Sequence, residues 1–213
     1  MRRSHISALA LVLLIAVGLV GTLTAADARS KRTCALKKSK TYKKNKSVRL
    51  FARGETRDGL FVRALYGCHR RTKKRVFLAT RGGYNPDNYW AKLRGRFVAV
   101  NYTETGTKDP TEPTQHSGFL RVWDLKRPKR LKTINNVEAT DIELGPKGQL
   151  FWIGRPLVDG DKPQPLSVYA GKRALATGNI APKSLVLGSK LTVRWTQDGV
   201  RRCSGPAFAS RAR

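Results

Sequence analysis

Hydrophobic and polar positions alternate along this chain in short runs. The stretch GFLRVWDLKRPKRLKTI, Gly118 to Ile134, is two such runs joined by a basic turn that contains a proline. A period of two puts apolar side chains on one face of a strand and polar ones on the other, so the stretch predicts a β-hairpin. The device recurs as WAKL-RG-RFVAV (Trp90 to Val100), DIEL-GPKG-QLFWI (Asp141 to Ile153) and SLVL-GS-KLTVRW (Ser184 to Trp195). Each reads as strand, tight glycine turn, strand. A looser first copy is VRLFAR-GETRDG-LFVRALYG, Val48 to Gly67. The turn glycines Gly54, Gly95, Gly145 and Gly188 stand 41, 50 and 43 residues apart. Second hairpins follow in YGCHRRTKKRVFLAT (Tyr66 to Thr80), in Gly118 to Ile134 and in LSVYAGKRALAT (Leu166 to Thr177), whereas the fourth unit ends with only VRRCS. From Val48 onward no segment sustains helical periodicity over ten residues, and the predicted class is all-β.

One four-stranded unit cannot bury both of its faces, so neighbouring units must stack to make a core. The expectation is four propeller-like units, as a closed small propeller or an open twisted arc, with a β-sandwich as the alternative. Because unit four lacks its outer strands, the segment near Cys34 is a candidate to complete it. Trp90, Phe97, Trp123, Phe151, Trp152 and Trp195 then read as packing residues between units.

The period, with Val122-Trp123-Asp124 at a strand end and Trp152, Trp195 and Asp198-Gly199 in later units, resembles the β-propeller repeats of the WD-repeat and TolB-like groups. The Gly-His pair of WD repeats is missing. The run YGC, RFVAV, LRVWDL, LFWIG and APKSLVLGSKLTVRWTQDG more closely resembles small secreted actinobacterial proteins with such repeats, a group of uncharacterised function. That resemblance implies a secreted propeller-like protein and no particular activity.

Composition adds a compartment and a charge. Arg2 and Arg3, an apolar run from Ile6 to Val20 and the small residues ending Ala26-Asp27-Ala28 read as a cleavable signal peptide. The apolar run is shorter than the roughly 20 residues of a membrane span. The expected order is a signal peptide over 1–28, a basic arm over 29–47, the β-repeat domain over 48–205 and a basic tail over 206–213. The mature chain of 185 residues would be secreted, or held in the cell envelope, with a formal charge of +28, against +29 for the whole chain. Between Arg29 and Arg53 there are eleven Lys or Arg and no acid, so the part before Ser47 is expected to be extended.

The three cysteines are Cys34, Cys68 and Cys203. In an oxidising compartment one disulfide is expected; Cys34–Cys68 is the favoured pair and Cys34–Cys203 the alternative. No ligand spacing for a metal is present, and no cofactor is expected. Asp141 and Glu143 share one strand face at a spacing that a paired-acid hydrolase or lyase permits. His69 sits among cations, His116 lies in a polar loop, and DGDKP (Asp159 to Pro163) lacks the spaced acids of a calcium loop. No GxSxG, phosphate-binding loop, dinucleotide fingerprint or HExxH occurs, so no catalytic set is assigned.

Charge therefore carries the functional expectation. Lys37, Lys38, Lys40, Lys43, Lys44 and Lys46 are the expected contacts for a polyanion such as an anionic cell-wall polymer. No recognition helix or RNA-binding motif points to nucleic acid.

Overall fold

The computed structural model describes residues 33, 34, 36–57, 59–82, 88–106, 115–158 and 164–205. The predicted signal peptide, the C-terminal tail and the DGDKP segment lie outside them. Four antiparallel sheets follow one another along the chain, each a simple up-and-down meander. The first holds β1 (Ser39–Lys44), β2 (Val48–Arg57), β3 (Leu60–His69) and β4 (Arg75–Gly82). β5 (Asn88–Arg94), β6 (Phe97–Gly106), β7 (Gln115–Asp124) and β8 (Lys129–Asn135) make the second, and β9 (Val137–Leu144), β10 (Leu150–Pro156), β11 (Leu166–Ala170) and β12 (Arg173–Gly178) the third. The fourth has three strands, β13 (Val186–Leu187), β14 (Val193–Gln197) and β15 (Val200–Ser204). Among the described residues the one helical segment is the short turn Ser189–Leu191, and no helix is long and apolar enough to cross a membrane.

Both faces of the middle sheets are covered, and this explains their apolar runs. Phe97, Val98, Ala99 and Val100 are all buried because alternate side chains enter two different cores. Val98 and Val100 pack with Val48, Leu50, Leu65 and Leu78 of the first sheet, while Phe97 and Ala99 pack with Ile142, Leu144 and Trp152 of the third. β10 repeats the division: Trp152 faces the second sheet, while Phe151 and Ile153 face Leu185, Val193 and Trp195 of the fourth. The aromatics expected to pack between units do so, with Trp90 and Trp123 only partly buried.

Polar ties join successive sheets along their first strands. Lys43 Nζ of β1 donates to Ala91 O of β5 at 2.6 Å, and Arg94 Nη1 of β5 donates to Leu144 O of β9 at 2.8 Å. Leu185 N, just before β13, donates to Asp141 Oδ2 of β9 at 2.9 Å.

Three expectations are corrected. Gly54 is not a turn residue; it sits inside β2 opposite Arg63, and the chain reverses at Gly59, whose φ of +78° suits glycine. The segment before Ser47 is not wholly an extended arm, because Ser39–Lys44 form the edge strand β1, paired with β2. An edge tolerates lysines, since their ammonium groups reach water while the backbone joins the ladder. Finally, the N-terminal segment does not complete the fourth sheet. Cys34 is disulfide-bonded to Cys68 of β3, with Cα atoms 5.6 Å apart, and with Leu36 and Tyr66 the pair covers Phe51 on the outer face of the first sheet. This is the pairing favoured from the sequence.

With β1 in place the first repeat re-registers. Its first turn centres on Asn45, so Asn45, Gly95, Gly145 and Gly188 stand 50, 50 and 43 residues apart. Asn45 Oδ1 accepts from Ser47 N at 2.9 Å and Val48 N at 2.8 Å, an Asx turn in the place where later units use glycine.

Candidate anion-binding cleft

In a meander every second connection emerges at the same end of its sheet. The connections after β1, β3, β5, β7, β9, β11 and β13 hold eleven Lys or Arg and no acid. The remaining connections hold seven Asp or Glu and three Lys. The fold thus sorts charge by the parity of the turns.

Within the first three sheets the basic turns converge on a cleft of about 970 Å³. Lys46, Ser47, His69 and Arg71 come from the first sheet, Arg96, Phe97, Asp124, Lys126 and Leu131 from the second, and Pro146 and Lys147 from the third. Asn45 Nδ2 donates to Gly95 O at 2.9 Å, which ties the first sheet's turn to the second's.

The single acid in the lining is fully engaged. Asp124 is buried; its Oδ1 accepts from Lys126 N at 3.0 Å, and its Oδ2 lies 3.1 Å from Arg96 Nη2. Asp124 therefore shapes the turn and orients Arg96, with each of its carboxylate oxygens engaged. Arg96 spreads over the Phe97 ring, 4.9 Å from its centroid, and its Nε is buried with no protein partner. Among the described residues Lys46, Arg71, Lys126 and Lys147 enter no ion pair.

His69 is buried at 6% exposure in the floor. Its Nδ1 accepts from Thr72 N at 3.3 Å, because a backbone N–H can only donate, so the neutral ring carries its proton on Nε2. Burial of the ring holds its pKa below the usual histidine value; Lys126, Arg96 and Arg71 act the same way, and Asp124 opposes them. The cleft offers N–H donors from its cations. It suits an anion.

The expected lysines are placed differently from one another. Lys37 and Lys38 are exposed in the turn before β1, and Lys40 and Lys44 project from that edge strand. Lys43 is committed to Ala91 O, and burial followed by the nearby Lys92 lowers its pKa. Only Lys46 of the six lines the cleft. Asp141 and Glu143 do not form a free acid pair. Asp141 accepts from Ile142 N and Leu185 N, both at 2.9 Å, and Glu143 is bonded to Lys92. Burial raises the Asp141 pKa, with Glu143 adding to it. The Cys203 thiol is exposed and unbridged, and the His116 side chain lies outside the described residues.

Sequence reasoning missed Arg71, Arg96, Lys126 and Lys147 as one site because they stand in four separate turns, far apart in the chain, whereas Lys37 to Lys46 form one continuous run. The available signal was the parity of basic and acidic turns, which needs the correct strand count. In comparison with known proteins, the chain matches no family model, no curated protein and no solved structure.

Proposed function

We propose that the chain is an exported, non-catalytic interaction module of propeller-like stacked sheets that binds polyanions at its basic turn face. The observation that carries the reading is the parity of the turns, eleven cations against no acid on the connections of one set. A surface of one sign concentrates polyanions, and contacts to them release counterions. The successive cores between sheets one and two, two and three, and three and four support a blade-like arrangement. Among the described residues no core cluster joins sheets four and one, which favours an open arc over a closed ring. The Cys34–Cys68 disulfide fits an oxidising compartment, where anionic envelope polymers are the natural class of partner. Against the alternative of a hydrolase or lyase stands the commitment of Asp141 and Glu143 to structural bonds.

The test compares two triple variants on a double-stranded DNA probe, used as a polyanion of known charge density. Arg71→Gln/Lys126→Gln/Lys147→Gln is expected to reduce the slope of log affinity against log salt by about 2 to 3, at roughly 0.9 per contact. Lys37→Gln/Lys38→Gln/Lys40→Gln is expected to change it by less than about 1. The opposite ranking would return the contact to the N-terminal lysines.

A further inference from the structure

We infer that the basic face continues beyond the cleft into a second anion subsite formed by Lys132 and Lys172, so that the preferred ligand is an extended polyanion lying across the first three sheets. This rests on the anion-binding reading above and specifies its ligand. Lys132 lies on β8 opposite Val122, a residue of the core between sheets two and three, so its half-buried side chain crosses toward the third sheet. Its Nζ comes to rest against the β11–β12 turn, 2.5 Å from where a Cβ on Gly171 would stand. Gly171 has a φ of +63°, which only glycine adopts readily, and the absence of a side chain leaves the room that the ammonium occupies.

That turn is held from below. Buried Trp152 donates from Nε1 to Gly171 O at 2.8 Å and stacks on Tyr169 with ring centroids 4.0 Å apart. The next residue is Lys172, exposed at the tip. Burial of Lys132, then repulsion from Lys172, lowers the pKa of the Lys132 ammonium. Among the described residues neither lysine has an acidic partner. Lys132 is thus held against the turn that carries Lys172, and an anion bound there would relieve both its desolvation and the repulsion.

Position makes this a continuation of the same surface. Leu131, the neighbour of Lys132, lines the cleft, and Lys147 of the third sheet lines it as well. Face-packed sheets lie about 10 Å apart, so a ligand that touches Lys46, Arg96 and Lys172 extends for roughly 20 Å. A single small anion cannot reach all three.

The experiment measures binding of orthophosphate, tripolyphosphate and long-chain polyphosphate to the full chain and to Lys132→Gln/Lys172→Gln. Long-chain polyphosphate is expected to bind best, and the double variant to lose about tenfold for it while staying within about twofold for tripolyphosphate. The variant's unfolding temperature is expected at or above that of the parent, since a half-buried charge without an acidic partner is gone; this separates lost binding from lost fold. Unchanged long-chain affinity in the variant overturns the subsite and leaves the cleft reading standing. Equal affinity for tripolyphosphate and long chains, both abolished by the Arg71/Lys126/Lys147 variant, shows a small-anion site instead. Binding of none of the three at low salt removes the cleft reading and this inference with it.

Discussion

His69 shows how one buried side chain ties the cleft to pH. Its folded-state pKa lies below the unfolded value near 6.5, so the unfolded chain takes up a proton that the folded chain resists. The stability it contributes is complete above the unfolded value and is lost as pH falls through the folded one. The unfolding temperature should drop between about pH 7.5 and 5.5, and His69→Gln should flatten that drop. A variant as pH-sensitive as the parent would assign the effect to other groups. Asp141 acts with the opposite sign: its raised pKa makes the folded state hold its proton longer, so its cost appears as pH rises through that value. Asp124 is tested by truncation. Asp124→Ala leaves Lys126 N without its acceptor and Arg96 without its anion, and should destabilise by about 1 to 3 kcal/mol in a denaturant titration. These roles were not legible in the sequence. A histidine beside five basic residues and an aspartate ending VWD carry no mark of burial until two turns from different hairpins are brought together.

At the scale of the element, the alternating runs disclosed nearly every strand, because period-two burial is local and strong; the first repeat was misread for an equally local reason. Its turn carries Asn45 where later repeats carry glycine, and its first strand, SKTYKK, is so rich in lysine that repulsion appeared to outweigh pairing. The backbone ladder with Arg49 to Arg53 decides otherwise. Asn45→Ala should therefore cost more than an ordinary surface substitution, about 1 to 2 kcal/mol, because it removes the one acceptor of two turn N–H groups and the bond to Gly95 O. Asn45→Asp keeps the acceptor but loses the donor to Gly95 O, and should lose less than Asn45→Ala. If the two variants unfold at the same denaturant concentration, the turn owes nothing to that side chain. Gly154 of β10 marks a second local constraint invisible in sequence. A Cβ there would collide with the Glu138 carbonyl oxygen across the irregular step in the β9–β10 ladder, so Gly154→Ala should destabilise by about 1 to 3 kcal/mol even though its φ is ordinary.

Across the whole molecule, total charge was legible and its distribution was not, since turn parity shifts when one strand is missed. The same omission hid how the stack of sheets begins. Each of the middle sheets is covered on both faces by neighbours, but the outer face of the first sheet is covered by its own N-terminal segment. Arg49 Nη1 donates to Cys34 O at 2.8 Å, and the Arg49 guanidinium lies 5.3 Å from the Phe51 ring centroid, beside the Cys34–Cys68 bridge. Terminal units of stacked repeats need such caps, because no further unit follows to bury the exposed face. The bridge spans 34 residues, and closing a loop of that length restricts the unfolded chain by roughly 4 kcal/mol. Cys34→Ser/Cys68→Ser removes this restriction and also loosens the cover over Phe51, which is wholly buried in the parent. The variant should lose roughly 4 kcal/mol, whereas Cys203→Ser, at an exposed free thiol, should lose less than about 0.5. Hydrogen exchange then separates a local cap from a general brace. Amides of β1 and β2 should exchange faster in the double serine variant under native conditions, while those of β9 and β10, two sheets away, keep their protection apart from the shift set by global stability. Uniform acceleration in all four sheets, with no excess in β1 and β2, would show that the bridge acts on the unfolded chain alone and that the first sheet needs no cap.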